Sequence, residues 1–207
     1  MQKNLTTQAS IAILAGGKSR RMGQDKGLIP LLGIPLVKRV LLQVESLSDH
    51  MMLITNRPSE YRSFGIPMQG DLVTGAGTLG GLYSALHYST SNSILALSCD
   101  MPFVCVPLLQ HMLGLASECD AVVPRLGGSR RVEPLRAVYN QRCKQSIANA
   151  LEEGQRRMIS FFDLVEVRYV EIDEIERFDP GARSFFNINT PDDLKQARSI
   201  ATLYPLP

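Results

Sequence analysis

Two glycine-rich stretches and a few isolated acids carry most of the chemistry legible in this 207-residue chain. The first stretch, Leu14-Ala15-Gly16-Gly17-Lys18-Ser19-Arg20-Arg21-Met22-Gly23, leaves a short apolar run and leads through Gln24-Asp25 to Lys26. Glycines let backbone N–H groups approach phosphate oxygens with no Cβ in the way, and Lys18, Arg20, Arg21 and Lys26 supply charge to offset a polyphosphate. The plain alternative is a solvated basic loop. Two better-known phosphate motifs do not fit: a P-loop requires glycine where Ala12 stands, and a dinucleotide fingerprint requires glycine where Lys18 stands.

Asp100 follows the compact apolar run Ile94-Leu95-Ala96-Leu97, within Ser98-Cys99-Asp100-Met101-Pro102, where the chain must turn. A carboxylate at a strand's carboxyl tip faces the usual ligand crevice of an open α/β sheet and suits magnesium, which takes one or two carboxylates together with waters and substrate phosphates. It can equally cap the next turn through its own side chain. The second glycine stretch, Gly75-Ala76-Gly77-Thr78-Leu79-Gly80-Gly81, comes shortly after Asp71 and can bring backbone close to a ligand. Arg125, Arg130, Arg131 and Arg136 surround Gly127-Gly128 and Glu133-Pro134, and Arg156-Arg157 follows Gly154. These arginines either dock an anionic second substrate or belong to a solvated surface.

The elements that must position these residues alternate in type. Ile11–Ala15, Met51–Thr55 and Ile94–Leu97 are short apolar runs of buried-strand character, with further strands expected at Ala121–Val123 and around Arg136–Tyr139. Between them, Leu36, Val37, Val40, Leu41, Val44 and Leu47 recur at helical spacing, as does the pattern through Leu82, Ala85 and Leu86. A helix is expected over about Val106 to Ala116. Thr190-Pro191-Asp192-Asp193 has the cap residue, the proline and the first-turn acids of a helix start. This order predicts a three-layer, Rossmann-like α/β fold with a mostly parallel sheet, formed as one domain over residues 1–207.

Composition narrows the function classes. With 22 basic and 20 acidic side chains the formal charge is only +2, too little for sequence-independent binding along nucleic acid. The run from Ile11 to Ala15 is too short for a signal-peptide core or a membrane span, so no membrane association is expected and the cytoplasm is the expected location. Cys99, Cys105, Cys119 and Cys143 show no C-x-x-C spacing and are expected to be buried, reduced thiols. His50, His87 and His111 form no zinc pattern.

The first loop resembles the nucleotidyltransferase signature L-A-G/A-G-x-S/G-x-R-M-G followed by a lysine. With Leu-Ala-Gly-Gly and Gly-Gln-Asp-Lys-Gly it is most similar to the molybdenum cofactor guanylyltransferases. The likeness continues through Asp71, Cys99-Asp100-Met101-Pro102, Glu133-Pro134-Leu135, Gly154-Gln155-Arg156-Arg157 and Phe186-Asn187-Ile188-Asn189-Thr190-Pro191, almost the whole chain. The resemblance implies transfer of GMP from GTP to molybdopterin, with molybdoenzymes or cofactor chaperones as later partners. It implies that Leu14, Ala15, Gly16 and Gly17 contact GTP, that Lys26 and Arg21 act on its phosphates, and that Asp71 contacts the nucleotide. It also implies an asparagine near the base, for which Asn56 is the nearest residue, and a magnesium ion (Mg2+) on Asp100. One departure is Gly77-Thr78-Leu79-Gly80, where the family usually has Gly-Pro-Leu-Ala or Gly-Pro-Leu-Gly.

The acceptor it implies is already an anionic nucleophile, so no general base is needed and catalysis should rest on positioning and charge neutralisation. The rivals are molybdopterin cytidylyltransferase, which usually has Leu-Ala-Ala-Gly, sugar-phosphate or isoprenoid-precursor nucleotidyltransferases, and a GTP-binding cofactor-delivery module without turnover.

Overall fold

A computed structural model describes residues 9–15, 25–128 and 131–203. Its centre is a seven-stranded sheet in the order β5-β4-β1-β6-β8-β7-β9. The strands are β1 (Ala9–Leu14), β4 (Met51–Ile54), β5 (Met68–Gln69), β6 (Ser93–Ser98), β7 (Ala121–Arg125), β8 (Arg136–Asn140) and β9 (Val167–Glu171). β1 pairs parallel with β4 and β6, β4 with β5, and β7 with β9, whereas β8 runs antiparallel to both of its neighbours. The expected strands are all present and the sheet is mostly parallel. β8 is the exception, and its reversal brings Arg136 rather than Asn140 to the end where the parallel strands finish.

The alternation of side chains along each strand builds two cores. Ile11 and Ile13 of β1, with Leu95 and Leu97 of β6, pack beneath α1 (Leu36–Val44) and α4 (Val106–Leu115). On the opposite face, Ala12, Ile94 and Ala96 pack beneath α3 (Gly77–Tyr88) and α5 (Cys143–Glu152). Both faces of β1 and β6 are covered, which is why these strands read as continuous apolar runs in the sequence.

A smaller third core gathers around the hairpin of β2 (Pro30–Leu31) and β3 (Ile34–Pro35), whose turn residues Leu32 and Gly33 both have positive φ. Leu31 and Ile29 pack there with Phe103, Ile188, and Ala197 and Ala201 of α7 (Pro191–Leu203). Packing of this hairpin against the last helix brings residues near 26 and near 189 together. Two short helices, α2 (Pro58–Tyr61) and α6 (Ile172–Ile175), complete the set used below. Cys99, Cys119 and Cys143 are buried and all four cysteines are free, but Cys105 is only half-buried, its Sγ donating to Phe178 O.

Candidate active site

After β1 the chain crosses to β4 on one side, while β6 pairs with β1 on the other. The pair ends at Leu14 opposite Ser98, and the strand order places the crevice at the carboxyl ends of these two strands. A cavity of about 640 Å³ occupies that crevice and is lined by residues from the ends of β1, β4 and β6 and from the start of α3. A cleft of this size and place is a normal small-ligand site.

One wall of the cavity holds Asn56 and Asp71. Their contact is reciprocal: Asn56 Nδ2 donates to Asp71 Oδ2 at 2.7 Å, and the Asp71 amide donates to Asn56 Oδ1 at 2.9 Å. Gly77, at φ +62, opens α3, and Thr78 and Gly81 line the same wall. A Cβ on Gly81 would stand 3.0 Å from Leu14 Cδ2, so the missing side chain lets the first turns of α3 sit directly against Leu14 and beside Asp71. The positive end of a twelve-residue helix thus borders the cavity.

The other wall is ionic. Lys26 Nζ donates to Asp100 Oδ2 at 2.9 Å and to Asn189 Oδ1 at 2.5 Å, and Asp100 Oδ1 accepts a short bond from the Ser98 hydroxyl. Asn189 is held in turn: Asp193 Oδ2 accepts from the amides of Asn189 at 2.9 Å and Thr190 at 2.8 Å, while Thr190 Oγ1 accepts the Asp193 amide at 3.2 Å. This is a capping box at the start of α7. The Asn189 amide, followed by the side chain and amide of Thr190, holds the Asp193 carboxyl below the usual carboxylate range. The Ile188 amide donates to Asp100 O at 2.9 Å, so the sixth strand's tip and the last helix are fastened at this point.

Behind Asp100, buried polar groups fix the turn. The Arg136 guanidinium, fully buried, donates to Met101 O at 2.8 Å and Phe103 O at 3.2 Å. Burial lowers its pKa to about 10, which leaves it charged at neutral pH. Gln43 of α1 donates to Pro102 O at 2.7 Å and accepts the Val104 amide at 3.0 Å. Each backbone group of the turn that these side chains satisfy would otherwise be buried without water.

The structure therefore brings Leu14, Ala15, Lys26, Asn56, Asp71 and Asp100 around one cavity. Gly16, Gly17, Lys18, Arg20, Arg21 and Arg130 lie outside the described residues. Asp100 does not cap the following turn, since its side chain bonds Lys26 and Ser98. Three of the arginines expected to greet a second anion are committed elsewhere. Arg136 holds the Met101–Phe103 carbonyls, Arg125 makes a two-pronged pair with Glu171, and Arg156 donates to Leu151 O and Gln155 O at the end of α5. Arg156-Arg157 lies beyond that helix, which Gly154 at φ +79 ends. Asn189 was missed as a site residue; it is 163 residues from Lys26, and the third core and the Ile188–Asp100 backbone bond bring them together.

The sequence and the fold have counterparts among known proteins. The profile of the MobA-like NTP transferase domain matches residues 11–168, from β1 into β9. The chain belongs to this family. A probable molybdenum cofactor guanylyltransferase of Pelotomaculum thermopropionicum is 34% identical, covering 94% of each chain. A protein of the same description from Methanothermobacter thermautotrophicus is also 34% identical, over 90% of this chain and 97% of its own. Among solved structures, the molybdopterin-guanine dinucleotide biosynthesis protein A of Archaeoglobus fulgidus superposes with a TM-score of 0.81 at 30% identity, covering 94% of this chain and 99% of that one. The 2-C-methyl-D-erythritol 4-phosphate cytidylyltransferase of Thermus thermophilus, 19% identical with a TM-score of 0.70, shares the fold.

As a MobA-like NTP transferase, the chain is a nucleotidyltransferase. The family match includes the cavity residues Lys26, Asn56, Asp71 and Asp100, and ends before Asn189. No helix among the described residues is long and apolar enough to cross a membrane.

Proposed function

We propose that this protein transfers GMP from GTP to the terminal phosphate of molybdopterin, releasing pyrophosphate and forming the guanine dinucleotide of the cofactor. The observation that carries the reading is the Lys26–Asp100 pair in the cavity at the β1/β6 crevice, opposite the linked Asn56 and Asp71. The family match and the names of the relatives support the choice of donor and acceptor.

The acceptor phosphate oxygen forms a bond to the α-phosphorus as the bond from that phosphorus to the β-phosphate bridge breaks, and the electron pair leaves with pyrophosphate. The attacking group is already ionised, so no side chain has to remove a proton. Asn56 and Asp71 hold the nucleoside side. Lys26 neutralises phosphate charge, and its ammonium is already oriented by two oxygens, which lowers the reorganisation needed when the ligand enters.

The donor set at this wall suits magnesium. Asp100 Oδ2 and Asn189 Oδ1 are hard oxygens that already converge on one cation, the Lys26 ammonium. Asp100 would hold the ion together with phosphate oxygens, and when bound it supplies further neutralisation of the phosphates. For the acceptor, Arg131 and Arg157 are the candidates among the described residues, since there their side chains make neither a hydrogen bond nor an ion pair, unlike Arg125, Arg136 and Arg156.

The test is to incubate the purified protein with magnesium, molybdopterin and each of GTP, CTP, ATP and UTP, measuring pyrophosphate and dinucleotide. Product with GTP is the expected result, and product with CTP alone overturns it.

A further inference from the structure

We propose that Tyr61, acting through Asp25, is a positioning residue for Lys26. Asp25 immediately precedes the 3-10 turn Lys26–Leu28 and caps it, its Oδ1 accepting the Gly27 amide at 3.0 Å. The same oxygen accepts the Tyr61 hydroxyl at 2.5 Å. Both side chains are buried, Tyr61 at 1% exposure and Asp25 at 5%. Burial, and then the bond to Asp25, push the phenol's pKa far up, so the hydroxyl remains a donor at every working pH.

The contact is also steric. A Cβ on Gly27 would stand 2.5 Å from the Tyr61 hydroxyl, so the turn lies flat against the phenol with no room for a side chain. Among the described residues, few other polar groups hold Asp25. Among those residues its Oδ2 is buried without a hydrogen bond and is paired only loosely with Arg57 Nη1, 3.7 Å away on a half-exposed side chain. A buried carboxylate with so few partners depends heavily on the hydroxyl that it does have.

Tyr61 closes α2, which follows Asn56 by two residues. The phenol therefore ties the turn that carries Lys26 to the segment that carries Asn56, joining the ionic wall of the cavity to its nucleoside wall. Without that tie, Lys26 keeps its bonding groups but loses its fixed backbone.

This proposal rests on the nucleotide-site reading above, and its test reads GTP binding alone, so it stands or falls separately from the transfer reaction. GTP affinity is measured by calorimetry for Tyr61→Phe in the full chain and again in a Lys26→Ala background, with circular dichroism to confirm folding. A positioning role predicts about tenfold weaker binding in the first background and less than about twofold in the second, because the two changes act on one interaction. Gly27→Ala is a second probe that keeps every hydrogen-bonding group; it should weaken GTP binding, and adding Tyr61→Phe should restore part of the loss by removing the clashing oxygen. Equal weakening by Tyr61→Phe in both backgrounds marks a general packing effect and overturns the proposal. So does unchanged binding in the parent background together with no compensation of Gly27→Ala. A native chain that binds GTP with this coupling but makes no dinucleotide refutes the transfer reading and leaves the Tyr61 role intact.

Discussion

Lys26 and Asp100 stand 74 residues apart in sequence and meet at 2.9 Å across the mouth of the β1/β6 crevice. The pair is poised rather than inert. Each side chain is partly exposed to the cavity, at 22% and 13%, so an entering phosphate can take over the ammonium while the carboxylate stays at the site.

Lys26→Ala should leave the fold intact and weaken GTP binding by about tenfold or more, the scale of one charge-assisted hydrogen bond to phosphate. Asp100→Asn should instead lower turnover more than GTP affinity, with partial recovery at high magnesium, because an amide fills the space without the charge. Calorimetry and initial rates over a magnesium titration separate the two; full activity of Asp100→Asn at every concentration removes the carboxylate from the reaction.

Asn56→Ala should weaken GTP binding while leaving binding of inorganic tripolyphosphate unchanged. The variant loses both bonds to Asp71 on the nucleoside wall and touches nothing on the ionic one. Equal losses for the two ligands would contradict that division.

Arg136→Met should lower stability and turnover together. It leaves Met101 O and Phe103 O in a buried turn without their donors, at a cost of about 1–3 kcal/mol, and frees the turn that carries Asp100. Thermal unfolding and kcat report the two effects. An unchanged melting temperature would deny the guanidinium its supporting role.

The capping box makes a pH-dependent prediction. Asp193 has a folded pKa below its unfolded value, so its contribution is present above the unfolded value of about 4 and is lost as pH falls through the folded one. Asp193→Ala should therefore destabilise the protein by about 1 kcal/mol at neutral pH, the usual worth of such a cap, and the gap to the parent should narrow steadily below about pH 4. Urea melts at pH 7 and pH 3 measure it, and a gap that stays constant would contradict the assignment.

The sequence made some of this plain and hid the rest for physical reasons. β1, β4 and β6 are legible because they lie at the sheet's centre and must be apolar, and the acids and glycines at their tips stand out against that background. β9 was not legible: it is an edge strand in which Val167, Arg168, Tyr169 and Glu171 all retain exposure, so neither a continuous apolar run nor a clean alternation marks it. β5, with two residues, carries no periodicity at all. The arginines misled because a sequence does not show where a guanidinium points. Arg136 looks like part of a basic surface, yet β8 runs antiparallel, pairs Arg136 with Leu97 and seals it beneath the Asp100 turn. Asn189 and Tyr61 were silent because their importance lies wholly in partners far along the chain.

The most direct measurement follows two labels through one reaction. Protein, magnesium and molybdopterin are incubated with GTP labelled at the α-phosphate, and in parallel with GTP labelled at the γ-phosphate. The account predicts α-label in the guanine dinucleotide and γ-label in pyrophosphate, in equal molar amounts, with both lowered together in Lys26→Ala. Release of γ-label as inorganic phosphate with GDP remaining, or transfer of γ-label to the acceptor, would contradict it.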